Sequence, residues 1–116
     1  MIPDITVFKS LFNDFEIIEH QNRDGVQILR LKITFIDSSI LFVTDIFISF
    51  ENRRKYSFHW QNVNEELISR WDNAPHFSDI SSYPHHQHLQ SETNVIASSA
   101  INLIDVLKII QEKIQE

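Results

Sequence analysis

Between residues 26 and 36 the chain has a period of two. Leu29, Leu31, Ile33 and Phe35 fall on one side, and Arg30, Lys32 and Thr34 on the other. A period of two is that of a β-strand with one buried face. The pattern recurs along the first two thirds of the chain. In residues 40–50, Ile40, Phe42, Ile46, Ile48 and Phe50 are assigned to the apolar face, with Asp45 and Ser49 opposite. In residues 55–61, Tyr56, Phe58 and Trp60 alternate with Lys55, Ser57, His59 and Gln61. Residues 67–72 make a shorter strand, with Ile68, Arg70 and Asp72 on one face and Leu67, Ser69 and Trp71 on the other. Phe15, Ile17 and Glu19 alternate with polar neighbours before this series, and residues 95–97 fit a last short strand. Turn-forming segments separate the strands: Asn22-Arg-Asp-Gly25, Asp37-Ser-Ser39, Glu51-Asn-Arg53 and Asn62-Val-Asn64.

The period lengthens at both ends of the chain. Leu103, Ile104, Val106, Leu107, Ile109, Ile110 and Ile114 recur at helical spacing, and Asn102 with Asp105 forms a capping box at the start. Within residues 4–13, Val7, Phe8, Leu11 and Phe12 have helical spacing behind an N-cap at Asp4. Short turns between successive strands favour an antiparallel meander, which can bury one face and leave the other open. The expected fold is one α+β domain. An antiparallel sheet of about five strands packs against the C-terminal helix, with a short N-terminal helix beside it. Phe35, Ile46, Phe58 and Leu107 are expected in one core.

Composition narrows the function. The chain has 116 residues and no cysteine, which removes disulfides, thiolate ligands and a cysteine nucleophile, and fits a cytoplasmic location. No apolar run approaches the ~20 residues of a membrane span, and the N-terminus does not read as a signal peptide. One glycine excludes phosphate-cradling glycine-rich loops. The net charge of −6 counts against nonspecific nucleic-acid binding. Its distribution is uneven, however. The ends are acidic, whereas residues 20–75 carry seven basic and seven acidic side chains, so a local basic surface is compatible with the total.

The candidate chemistry lies in residues 70–88, which hold four of the six histidines. Histidine is the side chain that changes charge near neutral pH. In an extended segment His86 and His88 point to the same side, and His85 to the other. Two such imidazoles with a nearby cation supply the acid, the base and the charge stabilisation needed to cleave RNA through its 2′-hydroxyl. Asp72 can orient one ring, Arg70 can bind phosphate, and His59 comes from the neighbouring strand. Asn73, beside Pro75, suits a turn. On the open face Arg30, Lys32, Asp45 and Lys55 add charge, and an ordinary solvated face is the plainer reading of them. Trp71, His76 and His85 complete the candidate substrate contacts, although Trp71 also fits a core position. The same His-x-His spacing suits a divalent metal, with Asp72, His59 or His76 as further ligand. No cofactor is assigned, because cysteine ligands and an HExxH helix are missing.

The segments Arg70-Trp-Asp-Asn73 and His86-Gln-His88 resemble the Arg-Tyr-Asp-Asn and His-x-His segments of the TumE-type toxins of bacterial toxin–antitoxin pairs. The resemblance covers roughly residues 25–115, and Trp71 replaces the usual tyrosine. It implies a cytoplasmic ribonuclease toxin that acts on RNA and is encoded beside a helix-turn-helix antitoxin. Acidic termini suit a basic partner of that kind, and a homodimer is also compatible. A noncatalytic interaction module and a metal-dependent nuclease on the same residues are the alternatives.

Overall fold

The computed structural model describes residues 2–115 and shows a sheet of seven antiparallel strands in chain order. The strands are β1 (Phe12–Arg23), β2 (Val26–Phe35), β3 (Ile40–Ile48), β4 (Arg53–Gln61), β5 (Leu67–Asp72), β6 (His86–Leu89) and β7 (Val95–Ala97). The fold class is α+β, as the alternation requires, but with seven strands rather than about five. Residues 95–97 do form the last strand. The other addition is β6, which runs through the histidine segment itself. Its four residues lie just past Pro84 and are too few to show a period.

The hairpin joining β1 to β2 turns on Asp24 and Gly25, both at positive φ. Only glycine fits the second position, because a Cβ there would lie 2.9 Å from the Ser49 hydroxyl. Asn52 closes the turn before β4 in the left-handed conformation that asparagine tolerates.

The C-terminal helix α1 (Leu103–Ile114) covers one face of the sheet. Its capping box is complete: Asn102 Oδ1 accepts from Asp105 N–H, and Asp105 accepts from Asn102 N–H. Leu103, Val106, Leu107 and Ile110 are buried in one cluster with Leu31, Ile33, Phe35, Leu41, Val43, Phe58, Trp60 and Trp71. At the other end of the chain the helix is a 3-10 turn, Thr6–Leu11, that adds Phe8 and Leu11 to the same core. Asp4 accepts a hydrogen bond from Thr6 N–H at 3.0 Å, although the turn begins one residue later than an Asp4 cap would set it.

The face assigned to β3 from sequence is inverted. Leu41 and Val43 are in the core, Phe42 is partly exposed on the open face, and Ile46 lines a cleft there. Asp45 lies on the helix side, where Arg54 grips it with two hydrogen bonds of 2.9 and 2.8 Å. The register explains the inversion. Leu41 pairs with Ile33 and Trp60, and Val43 with Leu31 and Phe58, so cross-strand neighbours carry these two inward. No helix among the described residues is long and apolar enough to cross a membrane.

Candidate functional site

Antiparallel pairing aligns side chains in rows across the open face. One row runs Lys32, Phe42, His59, Arg70, His88 from β2 to β6. The next runs Arg30, Thr44, Ser57, Asp72, His86. Residues far apart in sequence thereby become neighbours: His59 and His88 flank Arg70, and Asp72 sits opposite His86.

The loop between β5 and β6 folds over these rows and makes a cleft of about 1150 Å³. Its walls include Lys55, His59, Arg70, Asp72, His76 and the two histidines of β6. Asn73 anchors the loop. Its side-chain oxygen accepts from Tyr56 N–H at 3.0 Å and its amide donates to the Arg54 carbonyl at 2.7 Å. A side chain thus extends the β4–β5 ladder one step past the end of β5.

The floor of the cleft is a buried polar centre. His86 Nε2 lies 2.9 Å from Asp72 Oδ1, and His88 Nε2 lies 3.6 Å from Oδ2. Both rings are nearly enclosed, at 2% and 4% exposure. Their second nitrogens are also engaged, His86 Nδ1 with the Pro84 carbonyl at 3.0 Å and His88 Nδ1 with the Glu92 carbonyl at 2.9 Å. A carbonyl only accepts, so each Nδ1 carries the proton of its bond. The two Nε2 atoms face the carboxylate. The Phe77 ring closes over both imidazoles, edge to face, at 4.8 and 5.7 Å. Asp72 Oδ1 also accepts from Ala74 N–H, and Oδ2 from Arg70 Nε at 3.2 Å.

His59 is the imidazole in the row that keeps contact with solvent. Partial burial lowers its pKa below the ordinary 6.5, and the Arg70 guanidinium pushes in the same direction. It is therefore mostly neutral at pH 7 and free to take a proton.

Several expected contacts lie elsewhere. Trp71 is 2% exposed on the helix side, because its partner across the ladder is Phe58; its ring is core and offers no stacking surface. His85 also turns to the helix side. Its Nδ1 meets the Tyr56 hydroxyl at 2.8 Å, and the two rings stack. Desolvation lowers the His85 pKa, with Arg54 adding to the shift. Arg30 is on the open face but pairs with Glu19 at 2.9 Å, and Lys32 sits 6.0 Å above the Phe42 ring. Neither reaches the cleft wall.

Two residues with a part in the site had no signal in the sequence. Glu92 lies in the turn from β6 to β7 and holds Arg70 through both carboxylate oxygens, at 2.6 and 2.5 Å. Phe77, in an irregular loop, belongs to no periodic pattern.

The family model described as Toxin TumE matches residues 4–114, nearly the whole chain. The chain belongs to the TumE toxin family. The match extends the resemblance of residues 25–115 to the first strand and the 3-10 turn. Membership of a toxin family implies a partner antitoxin. A search of the curated proteins found no match, and a search of the solved structures found none.

Proposed function

We propose that this TumE-family chain is a toxin that cleaves RNA in the open-face cleft. The observation that carries the reading is the row His59–Arg70–His88, an imidazole on each side of a guanidinium. Two strand spacings of ~4.8 Å put the outer members roughly 10 Å apart at the backbone. A phosphodiester over Arg70 then lies within side-chain reach of both ends.

His59, neutral and solvent-facing, takes the proton of the 2′-hydroxyl. The 2′-oxygen attacks phosphorus, and the bond to the 5′-oxygen breaks. Arg70 and Lys55 hold the phosphate oxygens as charge builds on them. The Asp72–His86–His88 centre supplies the acid that protonates the leaving 5′-oxygen. Asn73 positions the loop, and His76 lies at the cleft wall for a flanking nucleotide. Relative to the expectation that His86 and His88 share the acid and base roles, the base moves to His59, because both β6 rings are nearly enclosed and His86 Nε2 lies against Asp72, whereas His59 keeps contact with solvent.

The partner antitoxin is read as a basic helix-turn-helix protein. Edge strand β1 exposes Asp14 and Glu16 to such a partner, and the same open edge suits pairing of two copies of the chain. The site of action is the cytoplasm, where RNA is.

The test is an RNA oligonucleotide assay with tag-free protein. Cleavage should leave a 2′,3′-cyclic phosphate and a 5′-hydroxyl, and a strand with 2′-deoxyribose throughout should stay intact. Cutting of the deoxy strand would overturn the 2′-hydroxyl route. No cleavage of any RNA by protein that still binds its antitoxin would favour an interaction module.

A further inference from the structure

We propose that Asp72, His86 and His88 form a binding site for one divalent transition-metal ion. The inference rests on the RNA-cleavage reading for the ion's task, but not for its binding.

Three things about the centre point to a cation. The first is convergence. One ligand atom from each residue can be chosen so that all three lie within 4.8 Å of one another. Ligands at ~2.0–2.2 Å from a shared ion lie roughly 3–4 Å apart; His86 Nε2 is 2.9 Å from Oδ1, at the lower edge of that span, and His88 Nε2 is 3.6 Å from Oδ2, within it.

The second is the hydrogen-bond polarity. Each Nδ1–H donates to a backbone carbonyl, which leaves the Nε2 lone pair of a neutral ring aimed at the carboxylate. Two lone pairs and an anion facing one another repel unless a positive charge stands between them. A metal ion in that place supplies the charge to both rings at once. Backbone-anchored Nδ1–H groups are the usual support for histidines that bind metal through Nε2. The Pro84 and Glu92 carbonyls hold each Nδ1–H and so turn each Nε2 toward the place an ion would take.

The third is the charge balance. Asp72 and Glu92 carry two negative charges against Arg70, so a divalent ion brings this group to a net +1. That is the sign a phosphodiester requires. The donor set, two imidazole nitrogens and a carboxylate oxygen, suits zinc, manganese, iron or cobalt better than magnesium or calcium, which prefer oxygen alone. Three protein ligands leave one position of a tetrahedral set for water. A water there becomes acidic enough near neutral pH to serve as the proton donor assigned above to this centre.

Cobalt(II) titration into tag-free, chelator-stripped full-length protein tests the site, with visible absorption as the readout. One equivalent should bind and give d–d bands, and zinc should displace it. Asp72→Asn and His86→Gln should each weaken binding by more than the ~10–100-fold that loss of an outer partner costs. His20→Gln, on the exposed edge strand, should leave it unchanged. Wild-type protein that binds no stoichiometric cobalt, zinc or manganese would overturn the site whatever the variants do. So would full binding by a folded Asp72→Asn/His86→Gln double variant. The two readings separate cleanly. Metal-free protein that cuts RNA at full rate and binds no ion refutes the site and keeps the ribonuclease. Stoichiometric metal in a protein that cuts no RNA does the reverse.

Discussion

Arg70 donates to Glu92 across the mouth of the cleft, Nη1 to Oε1 at 2.6 Å, and thereby spends its charge on a carboxylate. Glu92 is the more exposed partner and sits in a turn, so the clasp is the kind an incoming phosphate can displace. An exposed pair of this type contributes up to ~1 kcal/mol. Glu92→Gln should therefore tighten RNA binding by up to about fivefold, read by fluorescence anisotropy at low salt. Unchanged or weaker affinity would mean that Arg70 does not meet the phosphate.

The cations differ in reach, and that difference is measurable. Lys55 lines the cleft, whereas Arg30 lies outside its lining and is held by Glu19. Each phosphate contact adds a bit under one unit to the slope of log affinity against log salt, roughly 0.7 for a single strand. Lys55→Gln should flatten the slope by about that amount, and Arg30→Gln should leave it alone. Equal effects from the two would place the RNA on the whole sheet rather than in the cleft.

Leu107 sits at the centre of the helix–sheet interface and is fully buried. Truncation to alanine should cost on the order of 2–5 kcal/mol in denaturant melting, as loss of buried methyl groups does in tightly packed cores. A cost under about half a kcal/mol would contradict the helix as the cover of the sheet.

Most of this architecture is legible in the sequence because burial on one face writes itself as a period. The helix cover, the β2 and β4 faces, the capping box and the common side of His86 and His88 follow from spacing alone, whereas Asp72 joins that side only through the register of β5 with β6. The β3 face does not. Ile40, Leu41, Phe42 and Val43 are apolar in succession, so alternation gives no parity, and the choice falls to register with β2 and β4. The same ambiguity extends to Asp45, which the structure puts on the helix side against Arg54. The extra strand β6 carries no such signature: it is four residues long, and its pairing joins His86 to Asp72, fourteen positions away across a loop that no local pattern describes. Glu92 acts through a turn conformation, and nothing in its neighbours' identities predicts where that turn will aim its carboxylate.

Asn73 is a structural anchor with a kinetic consequence. Replacing it by alanine removes partners of a backbone N–H and a backbone carbonyl at the edge of the cleft. A loss of about 1–3 kcal/mol is expected for partly buried groups left unpaired. Hydrogen exchange should show the β5–β6 loop opening more readily while the β2–β3 core keeps its protection. Uniform loss of protection across the sheet would instead mark Asn73 as a global support.

The last prediction concerns pH, and the direction of the shifts decides its sign. Burial lowers the pKa of both His59 and His85 below 6.5, with a neighbouring arginine adding to each shift. A depressed histidine pKa means that the folded state binds the proton less readily than the unfolded chain does. Its contribution is complete above about 6.5 and is lost as pH falls through the lower folded-state value. The melting temperature should therefore decline as pH drops below 6.5, and His85→Gln should make that decline shallower without touching the cleft. Cleavage should obey the same rule through His59 alone. If His59 is the base, the rate should fall on the acid side with an inflection below 6.5, and His59→Gln should remove that limb together with ~10²–10⁴-fold of the rate while RNA affinity and folding stay near wild type. A His59→Gln protein that keeps the acid limb would return the base role to the β6 histidines. In that event the limb should disappear in His88→Gln, the ring at the other end of the row.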